Sequence, residues 1–277
     1  MHHILLPTDF SENAMHAARY AARLMGVDGT AYTLLHTYLD ADPTVTSWAG
    51  MAEELYKAAM EGMKEWEERI RGMEEFRGAA IQAEVLYGPL PAMLTDLGEE
   101  RDADLVVMGT LGHTGAGILG SNAVAVVKQG RLPVVVVPGK ARTGPVGRIL
   151  FADDQRGLAQ ADMGMLLHLA RRHRSEVLLA HVLRNKEEVP DPEVIAAFDT
   201  LLGGIPHRFI AEEGKDVAAV IDLLADKEGA DMTAVLHRHS GFLEGLFRVS
   251  TAKRLALHTD LPLLVLREDG GKGEERA

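Results

Sequence analysis

The chain predicts an α/β protein made of two repeated open-sheet domains, each a parallel sheet with helices on both faces. Three observations carry this. Short apolar, β-rich runs alternate with segments of helical periodicity, the pattern of βαβ units and a parallel sheet. Two pairs of anchors then recur. Ala103-Asp104-Leu105 returns as Ala230-Asp231-Met232, and Leu132-Pro133-Val134-Val135 as Leu261-Pro262-Leu263-Leu264. Between the halves, residues 139–146 hold Pro, Gly and Lys/Arg without periodicity and read as a linker. The expected boundaries are therefore 1–138 and 147–267, with a disordered Gly- and charge-rich tail at 268–277.

Element by element, His3 to Pro7 is a buried strand closed by Pro-Thr-Asp. Ser11 is a good N-cap for a helix with apolar spacing at Ala14, Ala17, Ala18, Ala21, Ala22 and Met25, bracketed by Gly26 and Gly29. Thr30 to Thr37 is the second strand, Asp40 to Gly50 a loop, and Met51 to Met73 a charged amphipathic helix. Ala79 to Leu86 is the third strand, and a helix starting at Gly88-Pro89 runs to Asp102. Asp104 to Met108 is the fourth strand, Ser121 to Gln129 a helix, and Val134 to Val137 the fifth strand. The second half gives strands at Arg148–Ala152, Glu176–Val182, Pro206–Ala211, Asp231–Leu236 and Leu261–Leu266. Its helices are expected at Leu158–His173, Asp216–Lys227 and Thr251–His258. The fifth strands are expected as edges, which must be covered. Their mutual pairing would make an intrachain pseudo-dimer, and two chains could form a further homodimer.

Composition narrows the function. A net charge of −12 argues against nonspecific binding to nucleic acid or anionic membrane. With no cysteine, disulfides, thiolate catalysis and Cys-ligated metals are excluded. No apolar run reaches the ~18 residues of a membrane span, and no secretion signal is evident, so a cytoplasmic location is expected.

The most informative stretch follows the fourth strand. Glycines at 109, 112, 115, 117 and 120 lead into a helix at Ser121. Backbone N–H groups without a neighbouring Cβ, next to a helix N-terminus, make a plausible phosphate cradle. Ligands in such sheets bind beyond the carboxyl ends of the strands, where Thr8-Asp9 also lies.

Leu6-Pro7-Thr8-Asp9-Phe10-Ser11, Ala-Asp before the fourth strand, Gly120-Ser121 and Leu132-Pro133-Val134-Val135 together resemble the universal stress protein family in its tandem form. The resemblance implies a five-stranded parallel sheet of order 3-2-1-4-5 in each domain. It also implies an ATP site, since many members bind ATP (with Mg) and others do not. The nucleotide-binding set it implies is Pro7, Thr8, Asp9, Thr37, Met108, Gly109, Gly112, Gly120, Ser121 and Asn122. Pro7, Thr8 and Asp9 would border the adenosine, with Asp9 near the ribose hydroxyls and Thr37 by the adenine. Gly109, Gly112, Gly120 and Ser121 would face the phosphates, and Asn122 would offer its amide. Asp9 also fits a helix-start turn, and Thr37 a strand end.

The family's ATP pattern is Gly, two residues, Gly, nine residues, then Gly with Ser or Thr. Here seven residues, His113 to Leu119, separate Gly112 from Gly120. The repeat says the same: Asp104 and Pro133 stand 29 positions apart, Asp231 and Pro262 31. In the second half, Leu236 and His239 take the places of Gly109 and Gly112, and Val249-Ser250 that of Gly120-Ser121. Side chains there would crowd a phosphate and exclude positive φ, so no nucleotide is expected in that half. Asp154 matches Asp9 but is expected to serve a turn.

Other motifs are weaker. Gly115-Ala116-Gly117-Ile118-Leu119-Gly120 is a literal G-x-G-x-x-G, but it starts six residues beyond Gly109 and lacks the downstream acid of a dinucleotide site. No Walker sequence occurs. His237, His239 and Glu244 suggest a metal only faintly, and His2 and His3 point to opposite sides of a strand. No nucleophile with a paired base stands out; His113 is the titratable group nearest the expected phosphates. Three functions stay open: a nonenzymatic adenine-nucleotide module, a nucleotide-free interaction scaffold, and a slow ATP hydrolase.

Overall fold

In the first unit, Met1–Gly139, β1 (His2–Pro7) leads to α1 (Glu12–Met25), β2 (Thr30–Tyr38) and α2 (Ala49–Arg71). After a 3-10 turn at Glu74–Phe76 come β3 (Ala80–Tyr87), α3 (Leu90–Glu100), β4 (Leu105–Gly109), α4 (Ser121–Gln129) and β5 (Val134–Val137). The second unit, Lys140–Ala277, holds β6 (Arg148–Asp153), β7 (Ala161–Asp162), α5 (Gly164–His173), β8 (Glu176–Leu183) and α6 (Pro192–Leu201). It continues with β9 (His207–Glu213), α7 (Val217–Glu228), β10 (Met232–His237) and β11 (Leu263–Glu268). These come from a computed structural model that describes residues 1–38, 49–110, 120–153, 161–183, 188–237 and 260–268.

The pairings in the first unit are all parallel and give the order β3-β2-β1-β4-β5. Those of the second give β9-β8-β6-β10-β11, the same plan of third, second, first, fourth and fifth strand. Inner strands such as β4 and β5 are buried on both faces, as in parallel sheets, so they read as continuous apolar runs, with Val134–Val137 buried throughout, whereas β3 and β9 mix half-buried and exposed residues.

The helices follow from spacing and caps. Ser11 caps α1 by accepting the Ala14 N–H at 3.2 Å, and Gly26, at φ 69°, ends it. Its alanines at 14, 17, 18, 21 and 22 are all buried, and small side chains let the helix lie close on the sheet. α2 buries Ala59, Met63, Trp66 and Ile70, one stripe at helical spacing under a charged outer face.

The repeated anchors have a common structural use. Asp104 Oδ2 accepts the His3 N–H at 2.8 Å, while the Asp104 N–H donates to the His3 carbonyl at 2.9 Å. Asp231 Oδ2 accepts from Gly147 and Arg148 at 2.8 and 3.0 Å, and its own N–H donates to the Arg148 carbonyl at 2.9 Å. Each aspartate thus fastens the start of its unit's first strand to the fourth. The prolines follow suit: Val106 N–H donates to Pro133 O and Thr233 N–H to Pro262 O, both at 3.0 Å. Gly109 pairs with Val137 as Leu236 pairs with Leu266, so the two units keep one register there. The two-residue difference between the repeats therefore falls between the fourth and fifth strands.

Several expectations need correction. α6 is missing from the sequence reading, although Asp191 caps it through the Glu193 N–H and Pro192 opens it, both strong start signals. The helix expected from Leu158 begins only at Gly164. Ahead of it Ala161–Asp162 pairs antiparallel with β11, and Asp162 Oδ1 accepts the Gly164 N–H at 2.9 Å. That pairing keeps Glu268 in the last strand, so the tail cannot begin there. α2 starts at Ala49, inside the expected loop. The rest of that loop (40–48), residues 154–160, the helix at 251–258 and the tail from 269 lie outside the described residues.

Candidate functional site

The turn after β1 is built from its own side chains. The Phe10 N–H donates to Thr8 Oγ1 at 2.9 Å, and the Ser11 N–H to Asp9 Oδ1 at 3.1 Å. Asp9 therefore does serve a helix-start turn, with one carboxylate oxygen. The Thr8 backbone is held twice: its N–H donates to the Leu35 carbonyl, and its carbonyl accepts from His36 Nδ1, both at 2.8 Å. That acceptor fixes the proton on Nδ1 in neutral His36. Phe10 sits at φ 64°, its ring stacked on His36 at 4.3 Å. Pro7 is buried, while Thr8, Asp9 and Thr37 are half-buried at the carboxyl ends of β1 and β2.

The fourth strand brings Gly109 alongside the start of α1, just past this turn. Ile4 pairs with Leu105 and Leu5 with Val106, and both strands run on in parallel toward Thr8 and Gly109. Direct packing confirms the approach: a Cβ on Gly109 would stand 2.6 Å from Asn13 Nδ2 and 3.1 Å from the Asn13 carbonyl. The Asn13 amide also lies against Gly139, whose Cβ would be 3.1 Å from Oδ1. Asn13 was not singled out in the sequence, since an asparagine in a first helical turn looks like any surface residue. Gly109 is needed for this close packing and not for a positive φ, and Gly120 too has an ordinary φ of −61°.

The Gly120 N–H donates to the Thr110 carbonyl at 2.5 Å. This sets the start of α4 beside the end of β4. Gly120 at the N-cap has no side chain to cap that helix, and among the described residues Ser121 and Asn122 stand exposed at its start, the end of a helix that suits an anion. Met108 is buried and can offer only backbone. Gly112 and His113 lie outside the described residues, as do Asp154, His239, Glu244, Val249 and Ser250.

The second unit repeats the frame with different fittings. His181 Nδ1 donates to the Asp153 carbonyl at 3.1 Å, as His36 does to Thr8. Here, however, the ring is buried and Nε2 stands 3.7 Å from Glu188. Leu236, at the place of Gly109, is buried, so a side chain fills the position where the first unit has bare backbone. Among the described residues, no group of three or more His, Cys, Asp or Glu could hold a metal ion. No described helix is long and apolar enough to cross a membrane.

An open, doubly wound α/β sheet, with the second and third strands to one side of the first and the fourth and fifth to the other, defines the structural class of each unit. The chain belongs to the universal stress protein family, whose model matches residues 1–138 and again 145–267. A universal stress protein of Methanocaldococcus jannaschii is 33% identical over 142 residues, which span 48% of this chain and 80% of that protein. Universal stress protein G of Salmonella typhimurium is 30% identical over 148 residues, 48% of this chain and 96% of that protein. Among solved structures, a universal stress protein from Archaeoglobus fulgidus matches with a TM-score of 0.73 at 19% identity. That match covers 96% of this chain and 98% of that one, and extends the likeness in fold to both units.

Proposed function

We propose that the protein is a nonenzymatic, cytoplasmic stress-response module that binds an adenine nucleotide in its first unit and none in its second. The observation that carries this is the Gly120–Thr110 hydrogen bond of 2.5 Å, which sets the start of α4 at the end of β4, the strand beside β1 and its Thr8–Ser11 turn. Backbone N–H groups of Ser121 and Asn122 would hold phosphate oxygens, helped by the positive end of the helix dipole, while the Gly120 N–H, expected to face the phosphates, is instead given to Thr110. Asp9, at the carboxyl end of β1, would take the ribose hydroxyls. Thr37 would flank the base, and Pro7, Thr8 and Met108 the nucleoside. Gly109 would contribute through its packing on Asn13 as well as its backbone. Mg would arrive with the phosphates.

The test is thermal shift with ATP·Mg, ADP, AMP and NAD on the natural chain and on Ser121→Asp. An aspartate in the first turn favours a helix, so the variant keeps its melting temperature without ligand. Its charge repels phosphate, so the rise with ATP disappears. No rise in the natural chain with any nucleotide would leave the scaffold reading in its place.

A further inference from the structure

We propose that Gly62, midway along α2, is a positioning residue for the Thr8–Ser11 turn and acts through the ring of Phe10. Phe10 adopts φ 64°, a conformation that a bulky residue rarely takes and keeps only when its surroundings hold it there. The surroundings are specific. The Phe10 ring stacks on His36 with 4.3 Å between centroids and 27° between planes, and Trp66 closes another side at 5.9 Å. His36 cannot swing aside without breaking its 2.8 Å bond to the Thr8 carbonyl, and Trp66 is buried. The remaining wall is the α2 backbone at Gly62. A Cβ there would stand 2.8 Å from Phe10 Cε2 and 3.2 Å from Cδ2 and Cζ. Glycine is a poor choice inside a helix, and its neighbours Met60, Glu61, Met63 and Lys64 are good helix formers. Close approach of the ring explains it.

Asp9 lies between Thr8 and Phe10, with Oδ1 tied to the Ser11 N–H. The seat of the ring therefore sets the direction of the carboxylate. Through this contact α2, an element outside the candidate cleft, governs the cleft's geometry. The consequence for ligand binding rests on the nucleotide reading; the positioning of the turn does not.

The experiment is residue-resolved amide hydrogen exchange on the full chain, with ATP titrations beside it. Natural protein, Gly62→Ala, Phe10→Gly and the double variant form a cycle. Phe10→Gly removes the ring while accepting the positive φ. Gly62→Ala is expected to speed exchange at the Phe10 and Ser11 amides about tenfold, in the range of coupling between touching residues. The ATP dissociation constant is expected to rise with it. Leu5 in the core strand and Met63 in α2 should not exchange faster, which separates a local shift from general unfolding. In the Phe10→Gly background, adding Gly62→Ala should change nothing further. Unaltered exchange at Phe10 and Ser11 in Gly62→Ala, or the same increment without the ring, overturns the proposal. Natural protein that binds no ATP but shows the exchange coupling keeps the positioning role and refutes the nucleotide reading.

Discussion

Alanine at Gly109 would place a methyl carbon 2.6 Å from Asn13 Nδ2, 3.0 Å from its Cγ and 3.1 Å from its carbonyl oxygen. The first two contacts belong to a side chain that can turn; the third belongs to the backbone of α1 and cannot yield without moving the helix. Forcing a methyl into such a site costs typically about 1–3 kcal/mol. For a protein this size that lowers the melting temperature by roughly 3–10 °C. Two controls sharpen the reading. At Gly139 the new Cβ would meet only the Asn13 side chain, Oδ1 at 3.1 Å and Cγ at 3.9 Å, and no backbone, so Gly139→Ala should cost less. In an Asn13→Ala background, Gly109→Ala should lose most of its cost but keep the part due to the carbonyl. Urea denaturation followed by circular dichroism gives all four values. A neutral Gly109→Ala, or one more costly in the Asn13→Ala background, would refute the packing of β4 against the start of α1.

Asp231→Ala strips the acceptor from the Gly147 and Arg148 N–H groups and should destabilise the second unit by about 1–3 kcal/mol in chemical denaturation, while Asp231→Asn, which keeps an oxygen, should cost less. Phe198→Ala removes a buried ring 5.6 Å from Phe151 and should cost about 3–5 kcal/mol, confirming α6 as part of the core. Asp222 offers a test by pH. Burial, aided by the Asp216 carboxylate, pushes its pKa from 3.8 up to about 7. Its folded state therefore holds a proton that the unfolded chain has released, so this group's contribution to stability falls as pH rises from about 4 to 7. Asp222→Asn should raise the melting temperature at pH 8 and leave it nearly unchanged at pH 3; an equal effect at both would contradict the assignment.

Much of this molecule could be read from residue patterns because parallel strands and alanine-rich helices announce themselves by period. The duplicated Ala-Asp and Leu-Pro anchors revealed the repeat, and the equal register of Gly109–Val137 and Leu236–Leu266 agrees with it. The sequence could not reveal what those anchors do, because the bonds of Asp104 to His3 and of Asp231 to Arg148 join residues 101 and 83 positions apart. α6 was readable in Asp191-Pro192-Glu193 and was overlooked for want of a long apolar period. β7 was not readable: two residues carry no period, and its pairing with β11 is purely tertiary. At the candidate site, Asp9 and Gly120 were visible as a turn and a helix start. Asn13, Phe10 and Gly62 were not, since their importance lies in distances between segments and in a positive φ that a phenylalanine gives no reason to expect.

The claim on which most depends is that the first unit alone offers backbone donors to a nucleotide. An amide-resolved NMR titration with ATP·Mg measures this directly. The account predicts saturable shifts at Gly120, Ser121 and Asn122 together with Asp9, and none along Met232–His237. Silence at those first-unit amides, or shifts centred on the second unit, would contradict it.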